Sequence, residues 1–244
     1  EIGVRLVGSE MCIRDSTYHV LKNTEENIGM MFMEESVRRT GLAMMSLEAN
    51  KPLHLPDVYK TTPKEEFRNY FDSTLGTGRL YFFDHFGSND IDKIVSSVRY
   101  FSKALNCKFV CLDHVSIIVS DQTNSDERRA LDEIMTKLRT LVQELDIVLF
   151  LVSHLRRPSG SGHEEGAVTS LSQLRGSASI GQLSDIVFGL ERNGQHEDER
   201  ERNITTVRVI KNRFSGLTGP ACRLYYNPED GRMEEVVEDM EDLE

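Results

Sequence analysis

No stretch of this sequence approaches the roughly 18 consecutive apolar residues that a membrane-spanning helix requires, which excludes such helices. Cysteine is scarce. Cys12, Cys107, Cys111 and Cys222 form no CxxC pair and no Cys/His spacing suited to zinc, so neither a disulfide framework nor a structural metal is expected. A reducing, cytosol-like compartment fits that usage. A secretory signal is missing too, because Arg5, Glu10, Arg14 and Asp15 interrupt any apolar core near the start. No internal repeat occurs. Absent as well is the G-x-x-x-x-G-K-[ST] loop, whose backbone amides and lysine cradle nucleotide phosphates.

What remains is enough for one α/β domain with a hydrophobic core, since the chain has 244 residues. The net charge of −11 is unevenly spread. From Pro228 to Glu244 there are nine acids and one base, a net of −8, which leaves only −3 for everything before it. Total charge therefore neither favours nor excludes nucleic acid. Residues 228–244 are expected to be a solvated, disordered tail. Residues 1–16 resemble a translated adapter-derived leader and are set apart as a candidate non-native segment. The domain proper is expected over 17–227.

Apolar runs rich in β-branched residues alternate with helical patterns, which predicts a mostly parallel sheet with crossover helices and antiparallel strands near the end. Strands are expected at Ile28–Met33, Arg79–Phe83, Lys108–Leu112, Ile147–Val152, Asp185–Leu190, Thr205–Lys211 and Ala221–Tyr226. Helices are expected near Ser36–Glu48, Pro63–Thr74, Ile91–Leu105 and Asp126–Leu145. The last carries Leu131, Ile134, Met135, Leu138, Leu141, Val142 and Leu145 on one face.

Three of these strands end in polar residues, at the carboxyl ends where open parallel sheets bind ligands. Ile28–Met33 ends in Glu34-Glu35, Lys108–Leu112 in Asp113, and Ile147–Val152 leads through Ser153 to His154. One acid after a strand is usually a cap or a turn residue. Three such ends in one domain suit phosphoryl transfer. That chemistry needs a carboxylate to hold Mg²⁺ through water, a group to orient the attacking water, and cations for the developing charge. Asp113 suits the metal role, Glu34 the water-activating role, and His154 a γ-phosphate sensor.

The motifs then become recognisable. Leu112-Asp113-His114-Val115-Ser116-Ile117-Ile118-Val119-Ser120 resembles the Walker B region of phage primase–helicases. Met33-Glu34-Glu35-Ser36 resembles their catalytic-glutamate motif, and Val152-Ser153-His154-Leu155-Arg156 their sensor strand. Further motifs continue in order to Tyr226-Asn227, so the resemblance covers about Thr17 to Met233. The family includes these phage proteins and, more distantly, DnaB.

The resemblance implies a RecA-like α/β fold in a homo-hexamer (or heptamer) that hydrolyses ATP or dTTP with Mg²⁺ and moves 5′ to 3′ along single-stranded DNA. It implies that Glu34 is the catalytic base, Asp113 the Mg²⁺-linked acid, His154 the sensor, and Arg213 a finger offered to the neighbouring subunit's nucleotide. Arg192 and Lys211 are expected beside that same pocket, with Tyr226 near the nucleotide base. The DNA-facing loops are expected at Arg156–Val168 and Leu174–Ser179, through Arg156, Arg157, His163, Arg175, Gly176 and Ser177. Neither loop carries an aromatic side chain, so phosphate tracking without base preference is expected. Gly181 departs from the pattern, because the phage relatives tend to carry a base there. The acidic tail is a candidate contact for a replicative polymerase. The expected location is the cytoplasm, that of the host if the chain is phage-encoded. Two other readings stand beside the motor: a RecA-type recombinase, and a catalytically dead DNA-binding or ring-assembly module. The missing phosphate loop favours the last for this chain by itself.

Overall fold

The computed structural model describes residues 7–84, 90–119, 124–155, 162, 165–174, 178–229 and 231–237. Four parallel strands form the first sheet, in the order β2-β1-β3-β4: β1 (Asn27–Phe32), β2 (Leu80–Phe82), β3 (Cys107–Asp113) and β4 (Val148–Leu151). A second, antiparallel sheet runs in sequence order through β5 (Ile186–Arg192), β6 (Ile204–Asn212), β7 (Gly219–Tyr226) and β8 (Met233–Glu235). The helices are α1 (Val7–Asn23), α2 (Val37–Ala49), α3 (Pro56–Thr61), α4 (Lys64–Ser73), α5 (Ile91–Lys103), α6 (Asn124–Leu145), α7 (Ala178–Leu183) and α8 (Glu199–Arg202).

The expected parallel sheet with C-terminal antiparallel strands is present. Strand β1 shows why its sequence is apolar throughout: side chains alternate between two covered faces. Met31 and Met33 join Ile94, Val98 and Phe101 of α5 and the buried stripe of α6. Ile28, Met30 and Phe32 face the other way, toward Ile13 and Leu21 of α1 and Met44 of α2. In α6 the face foreseen from spacing is the buried one, with Leu131, Ile134, Met135, Leu138, Leu141 and Leu145 all inside. Helix α2 starts where Ser36 accepts a hydrogen bond from the Arg39 backbone N–H, and ends on Asn50 in the left-handed conformation. Gly29 lets α5 lie against β1, because a Cβ there would stand 2.5 Å from the Phe101 ring.

At both ends, structure extends past the expected bounds of 17–227. Residues of the segment set apart as a leader form the first half of α1. Ile13 is buried in the core, Arg14 lies 2.5 Å from the Glu35 carboxylate, and Asp15 accepts from the Met233 backbone N–H. At the other end, the stretch expected to be disordered from Pro228 onward supplies β8. Its residues pair with Leu224, Tyr225 and Tyr226 of β7, and the Arg232 guanidinium donates to the Leu47 carbonyl. The reason is local: backbone pairing to the edge of β7 does not require apolar side chains, so composition alone hides the strand. Residues 238–244 lie outside the described residues.

Removal of everything from Pro228 should therefore lower stability by about 1–3 kcal/mol through the lost ladder and the Arg232 contacts. Removal of residues 238–244 alone should change it by less than about 0.5 kcal/mol. Urea unfolding of the two truncated chains beside the whole one decides this. Equal stability of all three would mean that β8 contributes nothing.

Candidate nucleotide-hydrolysis site

Parallel pairing brings the three strand ends to one edge of the sheet. Phe32 pairs with Asp113, and the Met33 N–H donates to the Asp113 carbonyl at 2.7 Å. On the other flank, Leu112 pairs with Leu151, and the Val115 N–H donates to the Val152 carbonyl at 3.1 Å. Glu34, Asp113 and His154 thus follow adjacent strands and share one end of the sheet.

Two histidines join the acids there. His114 Nε2 lies 3.0 Å from Glu34 Oε1, and its ring centroid lies 3.8 Å from that of His154, with the planes inclined by 33°. Asp113 is only 5% exposed, whereas the Glu34 side chain keeps about a quarter of its surface open. One buried carboxylate completed by water suffices for Mg²⁺, so Asp113 suits the metal-linked role. No group of three His, Cys, Asp or Glu able to hold a metal occurs among the described residues.

The neighbouring acids have separate jobs. Glu35 turns away from the strand ends, with its side chain 4% exposed, and pairs with Arg14 at 2.5 Å and Arg39 at 3.2 Å. Close by, His54 is pushed below its usual range, first by burial and then by the charges of Arg39 and Arg14.

The second sheet corrects one expectation. Arg192 and Lys211 do not flank one pocket. Val187 pairs with Lys211 and Arg192 with Thr205, so the two basic residues stand toward opposite ends of the β5–β6 ribbon, about 17 Å apart at roughly 3.3 Å per residue. Arg192 sits with Tyr226: its guanidinium donates to the Arg202 carbonyl and to Asn203 Oδ1, while the Tyr226 N–H donates to the Asn203 carbonyl. Burial lowers the Arg192 pKa.

Lys211 stands with Arg213 at the other end. Its ammonium donates to the carbonyls of Gly181, Gln182 and Ser184, which caps the C-terminal end of α7. Within this chain Lys211 thus serves as a helix cap. Arg213 donates to the Gln182 carbonyl and pairs at 3.2 Å with Asp185, which Arg139 also binds at 2.5 Å. Gly181, noted for its missing side chain, packs tightly: a Cβ there would meet Leu171 at 3.3 Å.

The expected DNA contacts Arg156, Arg157, His163, Arg175, Gly176 and Ser177 lie outside the described residues. The segment between them is firmly tied. Glu191 accepts from the Thr169 N–H and hydroxyl and from Arg208 Nε and Nη2, at 2.7 to 3.2 Å. Burial raises the Glu191 pKa, but the Arg208 and Thr169 hydrogen bonds outweigh it and the net shift is downward.

Comparison with known proteins gives the family and the fold. The family model of the DnaB-like helicase C terminal domain matches residues 9–235. The chain belongs to that family. Within it, the DNA helicase/primase of Enterobacteria phage T3 is 35% identical over 231 residues, which cover 93% of this chain and 40% of that protein. The replicative helicase DnaB of Geobacillus stearothermophilus is 23% identical over 213 residues, covering 85% of this chain and 46% of DnaB. This DnaB-like domain thus spans less than half the length of those curated relatives.

Among solved structures, an ATPase domain superposes with a TM-score of 0.74 at 19% identity, covering 95% of this chain and 82% of that one. A KaiC-like protein of Pyrococcus horikoshii OT3 gives 0.62 at 16% identity, covering 95% and 85%. These likenesses establish the RecA-like α/β fold of the DnaB-like domain. Sequence reasoning missed His114 as a site residue in its own right. The one signal for it was its position directly after Asp113 in the strand-end motif.

The split between the two acids is measurable. Glu35→Ala should destabilise the DnaB-like domain by about 3–5 kcal/mol, because it removes the buried carboxylate that Arg14 and Arg39 share. Glu34→Gln should cost less than about 1 kcal/mol, since the amide can still accept from His114. Denaturant unfolding of both variants checks this, and a larger loss for Glu34→Gln would reverse the assignment.

Proposed function

We propose that this domain is the motor of a replicative DNA helicase, coupling hydrolysis of ATP or dTTP with Mg²⁺ to 5′-to-3′ movement along single-stranded DNA and strand separation. The observation that carries this reading is the convergence of Glu34, Asp113 and His154 on one edge of the parallel sheet. In it, Glu34 takes the proton of the attacking water, and Asp113 holds Mg²⁺ through water. His154 senses the γ-phosphate. The metal supplies neutralisation of the phosphate charge.

Arg213 acts on a neighbour's nucleotide in a ring of six or seven copies, where it exchanges Asp185 for phosphate. A finger of this type is worth about 10³–10⁵ in rate in nucleotide hydrolases. Arg192 and Tyr226, which share Asn203, serve the base of the nucleotide. The loops with Arg156, Arg157, His163, Arg175, Gly176 and Ser177 track DNA phosphates. The location proposed is the cytoplasm, that of the host if the chain is phage-encoded, and the acidic end offers a surface to a replicative polymerase.

A second reading is favoured by one feature of the sequence, the lack of a G-x-x-x-x-G-K-[ST] loop. By itself this chain then acts as a DNA-binding or ring-assembly module without turnover. Accordingly, the purified chain should hydrolyse ATP or dTTP at no more than background, with Mg²⁺ and single-stranded DNA present. Steady-state phosphate release measures it. DNA-stimulated turnover that Glu34→Gln abolishes would contradict the silent reading and establish the motor directly.

The division of labour between subunits is testable in a chain that carries a phosphate-binding loop ahead of α1. Arg213→Ala should leave nucleotide affinity within about threefold while reducing kcat by about 10³ or more. Mixing Arg213→Ala with Glu34→Gln subunits should restore part of the activity, because intact sites form at mixed interfaces. No recovery on mixing would assign both residues to one subunit's site.

A further inference from the structure

His114 stands between the two backbone ties that align the strand ends. The residue before it gives its carbonyl to Met33, and the residue after it donates its N–H to Val152. One tie fixes the turn that carries Glu34, the other the segment that carries His154. The side chain repeats the bridge. Its Nε2 lies 3.0 Å from Glu34 Oε1, and its ring lies against that of His154 at 3.8 Å.

The residue is 6% exposed, and its Nδ1 has no hydrogen-bond partner among the described residues. Buried N–H groups are rarely left orphaned, so the shared proton belongs on Nε2, where the carboxylate accepts it. Glu34 itself lies in a turn just past β1, on a long side chain with several rotamers. A base on such a side chain reacts well only if something fixes it, since a misplacement of about 1 Å can lower a rate by about 10²-fold.

We propose that His114 is a positioning residue for hydrolysis: its Nε2–H holds the Glu34 carboxylate, and its ring rests on His154, so that both are set from one imidazole. This rests on the assignment of Glu34 as the base. A buried polar bridge between adjacent strand ends has a consequence for the sensor as well, because movement of His154 shifts the surface against which the imidazole is held. The position of the base and that of the sensor are then mechanically linked.

Glutamine and asparagine at position 114 separate this role from mere packing. A Gln amide nitrogen reaches about where Nε2 stands, whereas an Asn amide reaches only about as far as Nδ1. In a chain extended through a phosphate-binding loop, His114→Asn and His114→Ala should lower kcat by about 10- to 100-fold, with KM for nucleotide within about threefold. His114→Gln should recover most of that loss. Equal kcat for the Asn, Ala and unsubstituted chains overturns the proposal, as does a loss that Gln does not repair. Glu34→Gln is measured alongside: if it keeps full activity, the base assignment fails, whatever His114 does.

Should the substituted chains fold poorly, nitrogen-15 spectra of the histidine rings in the chain as it stands give the answer without activity. The proton of His114 should sit on Nε2, and Glu34→Gln should shift that resonance while leaving those of His19 and His196 in place. A proton on Nδ1, or a His114 signal indifferent to Glu34→Gln, overturns the proposal.

Discussion

The register between β1 and β3 is the constraint on which the site depends. Pairing Phe32 with Asp113, with Met33 donating to the Asp113 carbonyl, decides that Glu34 and His114 emerge side by side. A slip of one residue would turn Met30 and Phe32 toward the wrong layer and carry Glu34 away from His114. The slip is opposed by packing on both faces at once, since Met31 is locked among α5 and α6 side chains while Ile28 and Met30 are locked against α1 and α2. Gly29 reinforces the arrangement, because only a residue without a side chain lets Phe101 lie on β1 at that level. Site geometry here is a by-product of core packing.

The second sheet shows a different logic. Its cationic residues are distributed to opposite ends of the β5–β6 ribbon, with Arg192 beside Tyr226 at one end and Arg213 with Lys211 at the other. Each is held by its own chain. Lys211 caps α7, and Asp185 is shared by Arg213 and Arg139. Under the proposed role of Arg213 toward a neighbouring subunit, Asp185 is the carboxylate that holds it until a phosphate takes its place. The half-exposed position of Arg213 fits a group able to leave one carboxylate for a phosphate.

The parallel strands and the acids at their ends were legible in the sequence, because β1 and β3 are continuous apolar runs that stop abruptly at Glu34 and Asp113. The α6 face was legible for the same reason, since burial imposes a 3.6-residue period. Other features depend on partners far along the chain. The separation of Arg192 from Lys211 follows from antiparallel pairing, which no local pattern reports. Strand β8 lies within an acidic run whose backbone, rather than its side chains, joins the sheet. The short α3 and α7 are too brief to show a period. His114 has no periodic signal at all, and only the fold reveals that it touches both Glu34 and His154.

The central claim is that the strand-end cluster faces a metal-bound nucleotide. Its most direct test replaces Mg²⁺ by paramagnetic Mn²⁺ with a non-hydrolysable nucleotide, in a chain extended through a phosphate-binding loop, and follows the histidine ring signals. Strong broadening of His114 and His154 is expected, with His19 and His196 left sharp. Sharp His114 and His154 signals under saturating Mn²⁺-nucleotide would place the nucleotide elsewhere and contradict the claim.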